Sequence, residues 1–168
     1  MTTRHARIPV PGDTSAVALA RDRILMQVSG WNTPLDDDQR EAVKLVASEL
    51  ITNAVVHGDD DVMVGLYYEA DEGRLLLVVH DGNPEPPERK NAAADDEGGR
   101  GLALVDCFAA RHGWEPTERG KKVWAEFEVP APAPETGRSA PLRLRLRALC
   151  LRPYVRDAQL PLAMAAEL

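Results

Sequence analysis

The stretch Ser48 to Gly82, "SELITNAVVHGDDDVMVGLYYEADEGRLLLVVHDG", decides the fold, because hydrophobic periodicity changes within it from helical to strand-like. Up to His57 the apolar residues recur every three or four positions, the spacing of one helix face. After "HGDDD" the texture becomes β-branched and aromatic. "VMVGLYYEA" (62 to 70) and "RLLLVVHD" (74 to 81) are two strand-like runs joined by a short turn at Asp71 to Gly73, which reads as an antiparallel hairpin.

The helix extends back to about Asp37. "LDDDQREAV" puts acidic residues in its first turn, where they complement the dipole, and Gly58 stops it. Val43, Val46, Ala47, Leu50, Ile51 and Ala54 form its apolar face. A short extended segment at Ala6 to Val10 and a helix capped by Asp13 or Thr14 and running to about Ser29 precede it, with Val17, Ala20, Ile24 and Val28 inward. Downstream, the polar loop "GNPEPPERKNAAADDEGGRG" leads into a third helix, "LALVDCFAARHG", closed by Gly113. A second hairpin follows, "WEPTE" and "KKVWAEFEV", turning near Arg119 and Gly120. Strand, helix, helix, two strands, long loop, helix, two strands make an α+β two-layer sandwich: a mixed, mainly antiparallel sheet with helices on one face.

The 168 residues, 44% of them apolar, suit one domain with appendages. Charge marks the boundary. Residues 1 to 130 carry 14 basic against 24 acidic residues, net -10, whereas 131 to 168 carry six Arg against Glu135, Asp157 and Glu167, net +3. The organisation expected is a domain over 1 to 130, then a Pro-rich linker, "PAPAPETGRSAP", and a Leu/Arg tail, "LRLRLRALCLR". The plain expectation for 131 to 168 is a poorly ordered extension; the sharper one is a segment that binds an anionic surface or the acidic domain itself.

A net charge of -7 argues against direct nucleic-acid binding, which needs clustered Lys and Arg. No run approaches the roughly 18 apolar residues of a membrane span, and the N-terminus lacks an apolar signal core. Cys107 and Cys150 form no CxxC pair and no disulfide framework. A cytoplasmic setting is expected.

Three elements carry chemistry. On the second helix, Glu49, Asn53 and His57 stand at successive four-residue steps, one above another. A carboxylate can take a proton from a hydroxyl, and a neutral amide oxygen can join a Mg²⁺ shell beside phosphates. Alone, the same trio reads as a polar stripe at a helix margin. Asp81, at a strand end before Gly82, can accept a hydrogen bond from an exocyclic amine or simply close the strand as an Asx turn. "EGGRGLALV" runs a glycine turn into a helix, which either brings backbone N–H groups close to phosphate oxygens or caps a flexible loop. It is neither a GxxxxGK[ST] loop nor a dinucleotide turn after a strand.

The order of these elements resembles the GHKL ATPase superfamily, with "ELITNAVVHG", "GRGLALVD" and "GKKVWAEF" as the matching strings over roughly residues 5 to 130. The nearest likeness is to small stand-alone ATP-binding proteins of the anti-sigma-factor serine/threonine kinase type found in actinomycetes. The resemblance implies a Bergerat fold that binds ATP with Mg²⁺. It implies Glu49 as general base, Asn53 as Mg²⁺ ligand, Asp81 and Gly82 at the adenine, and Gly99, Arg100, Gly101 and Leu102 around the phosphates. His57 also matches a commonly filled position, although a helix-ending histidine near the C-terminal dipole accounts for it equally well. A sigma factor and a phosphorylated antagonist are the implied partners, with a homodimer as the implied assembly. The sequence departs from that pattern in two places. Asp81-Gly82-Asn83-Pro84 stands where relatives have Asp-x-Gly-x-Gly, and Lys122 stands where many have an adenine-supporting threonine. Both favour, as the alternative, a nucleotide-gated or degenerate protein-binding module without kinase activity.

Overall fold

The computed structural model describes residues 3–58, 61–87 and 101–129. Among the described residues, five strands and three helices follow one another: β1 (Thr3–Val10), α1 (Ala16–Gly30), α2 (Asp37–His57), β2 (Val62–Glu69), β3 (Arg74–Asp81), α3 (Gly101–Phe108), β4 (Arg111–Thr117) and β5 (Gly120–Glu128). The strands form one sheet in the order β1-β2-β3-β5-β4, and every pairing among the described residues is antiparallel. This is the α+β two-layer architecture of the Bergerat fold, with an antiparallel sheet in place of the mixed one expected. The linker and tail, residues 131 to 168, lie outside the described residues.

The local chemistry explains why α2 holds its ends. Asp36 accepts from the Gln39 backbone N–H at 2.7 Å while the Gln39 side chain accepts from the Asp36 N–H at 3.0 Å, a reciprocal capping box. At the other end, the Gly58 N–H bonds to the Ala54 carbonyl, and the Asn83 side chain donates to the His57 carbonyl at 2.9 Å. An orphan carbonyl of the last turn is thereby satisfied. All six positions expected to face inward on α2 are buried, joined by Ala42 and Val55. On α1, Ala20, Ile24 and Val28 are buried and Val17 packs partly against the core.

Strand alternation divides the sheet into two faces. Val64, Leu66 and Tyr68 of β2, Leu75, Leu77 and Val79 of β3, and Ala125 and Phe127 of β5 join the helices in the main core. α2 packs across β2, β3 and β5, α1 on β1 and α2, and α3 on α2 and β4. No described helix is long and apolar enough to cross a membrane.

The third helix is shorter than its pattern implied, ending at Phe108 instead of near Gly113. Sheet pairing overrides the helical periodicity there: Arg111 pairs with Glu126 and Gly113 with Trp124, so "RHGWEPT" completes the sheet edge. Gly113 is a strand residue opposite a large indole, and the chain turns from helix to strand at Ala109-Ala110. The turn between β4 and β5 then folds back tightly. Gly120 has φ +136°, and a Cβ there would overlap the Asp81 carbonyl oxygen and the Gly82 backbone. Gly120→Ala is therefore expected to destabilise the fold by at least about 1–3 kcal/mol, the cost of a strained backbone position; denaturant unfolding measures it.

Candidate functional site

Two strand ends, one helix and the start of another converge above the sheet. α2 contributes Glu49 and Asn53, both partly buried, on successive turns of the same face. Across from them stands Gly101, the first residue of α3: a Cβ placed there would lie 2.5 Å from Glu49 Oε2 and 3.6 Å from Asn53 Nδ2. The absence of a side chain at position 101 is what leaves room for the carboxylate. The same approach aims the N-terminus of α3 at the neighbourhood of Glu49, a setting that favours negative charge. Burial nevertheless pushes the Glu49 carboxyl above its ordinary pKa, because desolvation penalises the ionised form. A carboxylate raised in this way is a stronger base when deprotonated.

Asp81, the last residue of β3, lies beside the far end of α2, where Gly58 stands nine residues or roughly 13 Å of helix rise beyond Glu49. A Cβ on Gly58 would sit 3.4 Å from the Asp81 Cβ, so the helix end and the strand end touch. Asp81 is 2% exposed and Lys121, directly across the β3–β5 pairing, is 5% exposed. Lys121 Nζ donates to Asp81 Oδ1 at 3.0 Å and to the Asn83 carbonyl at 3.0 Å, and the Asn83 N–H donates to the same Oδ1 at 2.9 Å. The Asx turn anticipated for Asp81 is present. Among the described residues, both hydrogen bonds to the Asp81 carboxylate fall on Oδ1.

The lysine beside Asp81 is thus Lys121, one place earlier than the Lys122 expected there. Lys122 points to the opposite face, paired with His80 across the strands. Desolvation, with the Lys122 charge second, lowers the His80 pKa, and the His80 ring lies 3.2 Å from Thr117 Oγ1. Gly82 follows Asp81 in contact range of Gly120. Leu102 is partly buried in the first turn of α3, whereas Gly99 and Arg100 lie outside the described residues. His57 is exposed at the end of α2, and its carbonyl, held by Asn83, is the group that takes part in the structure. Of the expected residues, then, Glu49, Asn53 and Gly101 come together at one end, and Asp81 and Gly82 lie at the other. Lys121, Asn83, Gly58 and Gly120 were missed. Lys121 and Gly120 stand together in "RGKKV", where strand parity would have separated the two lysines.

The chain matches the family model of the histidine kinase-like ATPase domain over residues 10–127, and it belongs to that family. No curated protein matches the chain. Membership supports an ATP-binding, kinase-like or ATPase function. Mg²⁺ fits the donor chemistry present: Asn53 offers a neutral amide oxygen on the helix face that also carries the Glu49 carboxylate. Among the described residues no cluster of three or more His, Cys, Asp or Glu forms a metal cage. A Mg²⁺ held by Asn53 would take its remaining oxygens from phosphate and water, the usual division for this ion.

Proposed function

We propose that the protein is an ATP-dependent regulatory kinase of the anti-sigma-factor type, which transfers the γ-phosphoryl group to a serine or threonine of an antagonist protein. The observation that carries this reading is the apposition of Gly101 to Glu49 and Asn53. Glu49 takes the proton of the acceptor hydroxyl as its oxygen bonds to the γ-phosphorus, the bond to the bridging oxygen breaks, and ADP leaves. Asn53 would hold Mg²⁺, whose charge offsets that of the phosphates. Asp81 would accept from the adenine amine. Gly99 and Arg100, together with Gly101 and Leu102, would wrap the phosphates. The sigma factor, the antagonist, a homodimer and a cytoplasmic setting are parts of the proposal supported by the resemblance of the three strings.

The Lys121–Asp81 pair favours a second reading, a binding module that has kept the fold and lost catalysis, because an ammonium already occupies one oxygen of the adenine carboxylate. Calorimetric titration with Mg-ATP separates the two. The kinase reading expects saturable binding that Asn53→Ala weakens by at least about tenfold, the scale of lost metal affinity on disturbing a site. No binding by the unaltered chain rejects it. If ATP binds, incubation with γ-labelled ATP and the antagonist should move label to the antagonist.

A further inference from the structure

The sheet has a second face, away from the described helices. Tyr67, Leu76, Val78 and Trp124 form a separate apolar cluster on it, each at most 2% exposed. No described helix packs there. Open sheet faces are ordinarily polar and solvated, so a central Trp and Val with no exposed surface require a cover.

We propose that the Leu/Arg stretch of the tail, residues 142 to 151, lies across this face. Its composition fits the task. Leu142, Leu144 and Leu146 alternate with Arg143, Arg145 and Arg147, so an extended segment presents leucines on one side and guanidinium groups on the other. From Leu142 to Leu146 such a segment spans roughly 13 Å, and β2, β3 and β5 together are about 10 Å across. The leucines therefore match the width of the cluster.

Reach and charge point the same way. The Val129 N–H bonds to the Gly73 carbonyl at 2.7 Å, which places the chain's exit from the sheet at the β2–β3 turn. The twelve residues from Pro130 to Pro141 can bridge up to about 37 Å as an extended Pro-rich linker, more than the length of an eight-residue strand. Acidic groups surround that exit. Glu69, Glu72, Glu126 and Glu128 outnumber Arg74 and Arg111, which pair with Glu69 at 2.8 Å and Glu126 at 3.8 Å. A net +3 tail meets an acidic rim. Trp124 Nε1, buried without an acceptor, would also find one in the backbone carbonyls of a crossing segment.

The test uses the full chain with Trp31→Phe and Trp114→Phe, so that Trp124 is the sole indole. Acrylamide quenching of this protein should be weak, and Leu142→Asp/Leu144→Asp/Leu146→Asp should raise the quenching constant at least threefold with the circular dichroism unchanged. Trp124 that stays protected in the triple variant overturns the proposal. So does protection lost on dilution in step with a fall from dimer to monomer mass, which would make a second copy the cover. If the triple variant does not fold, trypsin applied to the unaltered chain decides. Cleavage after Arg143, Arg145 and Arg147 should be at least tenfold slower than after Arg138 in the linker; equal rates overturn the docking.

Discussion

Lys121→Met is expected to destabilise the folded chain by about 3–5 kcal/mol, the cost of removing one partner from a buried ion pair. The magnitude follows from where the pair sits. Both side chains are almost wholly withdrawn from water, 6% and 2% exposed, so among the described residues the buried Asp81 carboxyl would keep the Asn83 N–H alone as its partner. An exposed pair such as Lys44–Glu41 would cost under about 1 kcal/mol by comparison. Thermal unfolding checks it, with a fall in midpoint of roughly 10 °C expected for a domain of this size. Replacing both partners, Lys121→Met with Asp81→Leu, should recover much of the loss, since a buried pair can often be exchanged for apolar residues at little cost. A double-mutant cycle with coupling below about 0.5 kcal/mol would show that the two groups are not a unit.

The same pair marks how far the sequence could be followed. The helix with Glu49 and Asn53 was legible to the residue at both ends, because Asp36 and Gln39 form a local cap and the apolar spacing runs unbroken to Gly58. β2 and β3 were legible for a similar reason: each is a compact run of β-branched, aromatic and aliphatic residues, and the short turn between them fixes their register. The third helix was not. Its C-terminal residues, Arg111 to Gly113, continue a helical pattern, and only pairing with β5, distant from any local signal, turns them into a strand. In a strand the error of one residue carries a larger penalty than in a loop, since it moves a side chain to the other face. Lys121 and Lys122 are adjacent and chemically alike, yet one meets Asp81 in the site and the other meets His80 on the far side of the sheet. The parity of Val123, Ala125 and Phe127 against Lys122, Glu126 and Glu128 fixes the choice, and Trp124, apolar on the otherwise polar side, is the residue that blurs it. The Gly101 contact was expected in kind, a glycine turn near the α2 residues. Its closeness to Glu49 depends on how α3 docks on α2, which no local pattern states.

On the proposed kinase mechanism, Glu49→Gln should lower phosphoryl transfer by roughly 10²–10⁴-fold, the usual contribution of a positioned general base, while Mg-ATP binding and unfolding midpoint change little. Glutamine keeps the shape beside Gly101 and cannot take a proton. The pH dependence distinguishes this role from a structural one. Because burial raises the Glu49 pKa, the ionised, base-competent form is lost at a higher pH than for an ordinary glutamate near 4.3. The rate of the unaltered protein should therefore fall as pH drops, with its acid limb lying above that value, and the limb should be absent from the residual rate of Glu49→Gln. The effect on stability has the opposite sign. A carboxyl whose folded pKa exceeds its unfolded one binds its proton more tightly in the folded state, so protonation of Glu49 favours folding, and the penalty appears as pH rises through the window between the two values. Glu49→Gln should remove that penalty and leave the variant at least as stable as the parent at neutral pH. A variant that loses activity and stability together would indicate that Glu49 serves the packing between α2 and α3. Gly101→Ala offers the converse: its added methyl would push against Glu49 Oε2, the movable end of a flexible side chain. It should reduce the rate by displacing the base while costing the fold little.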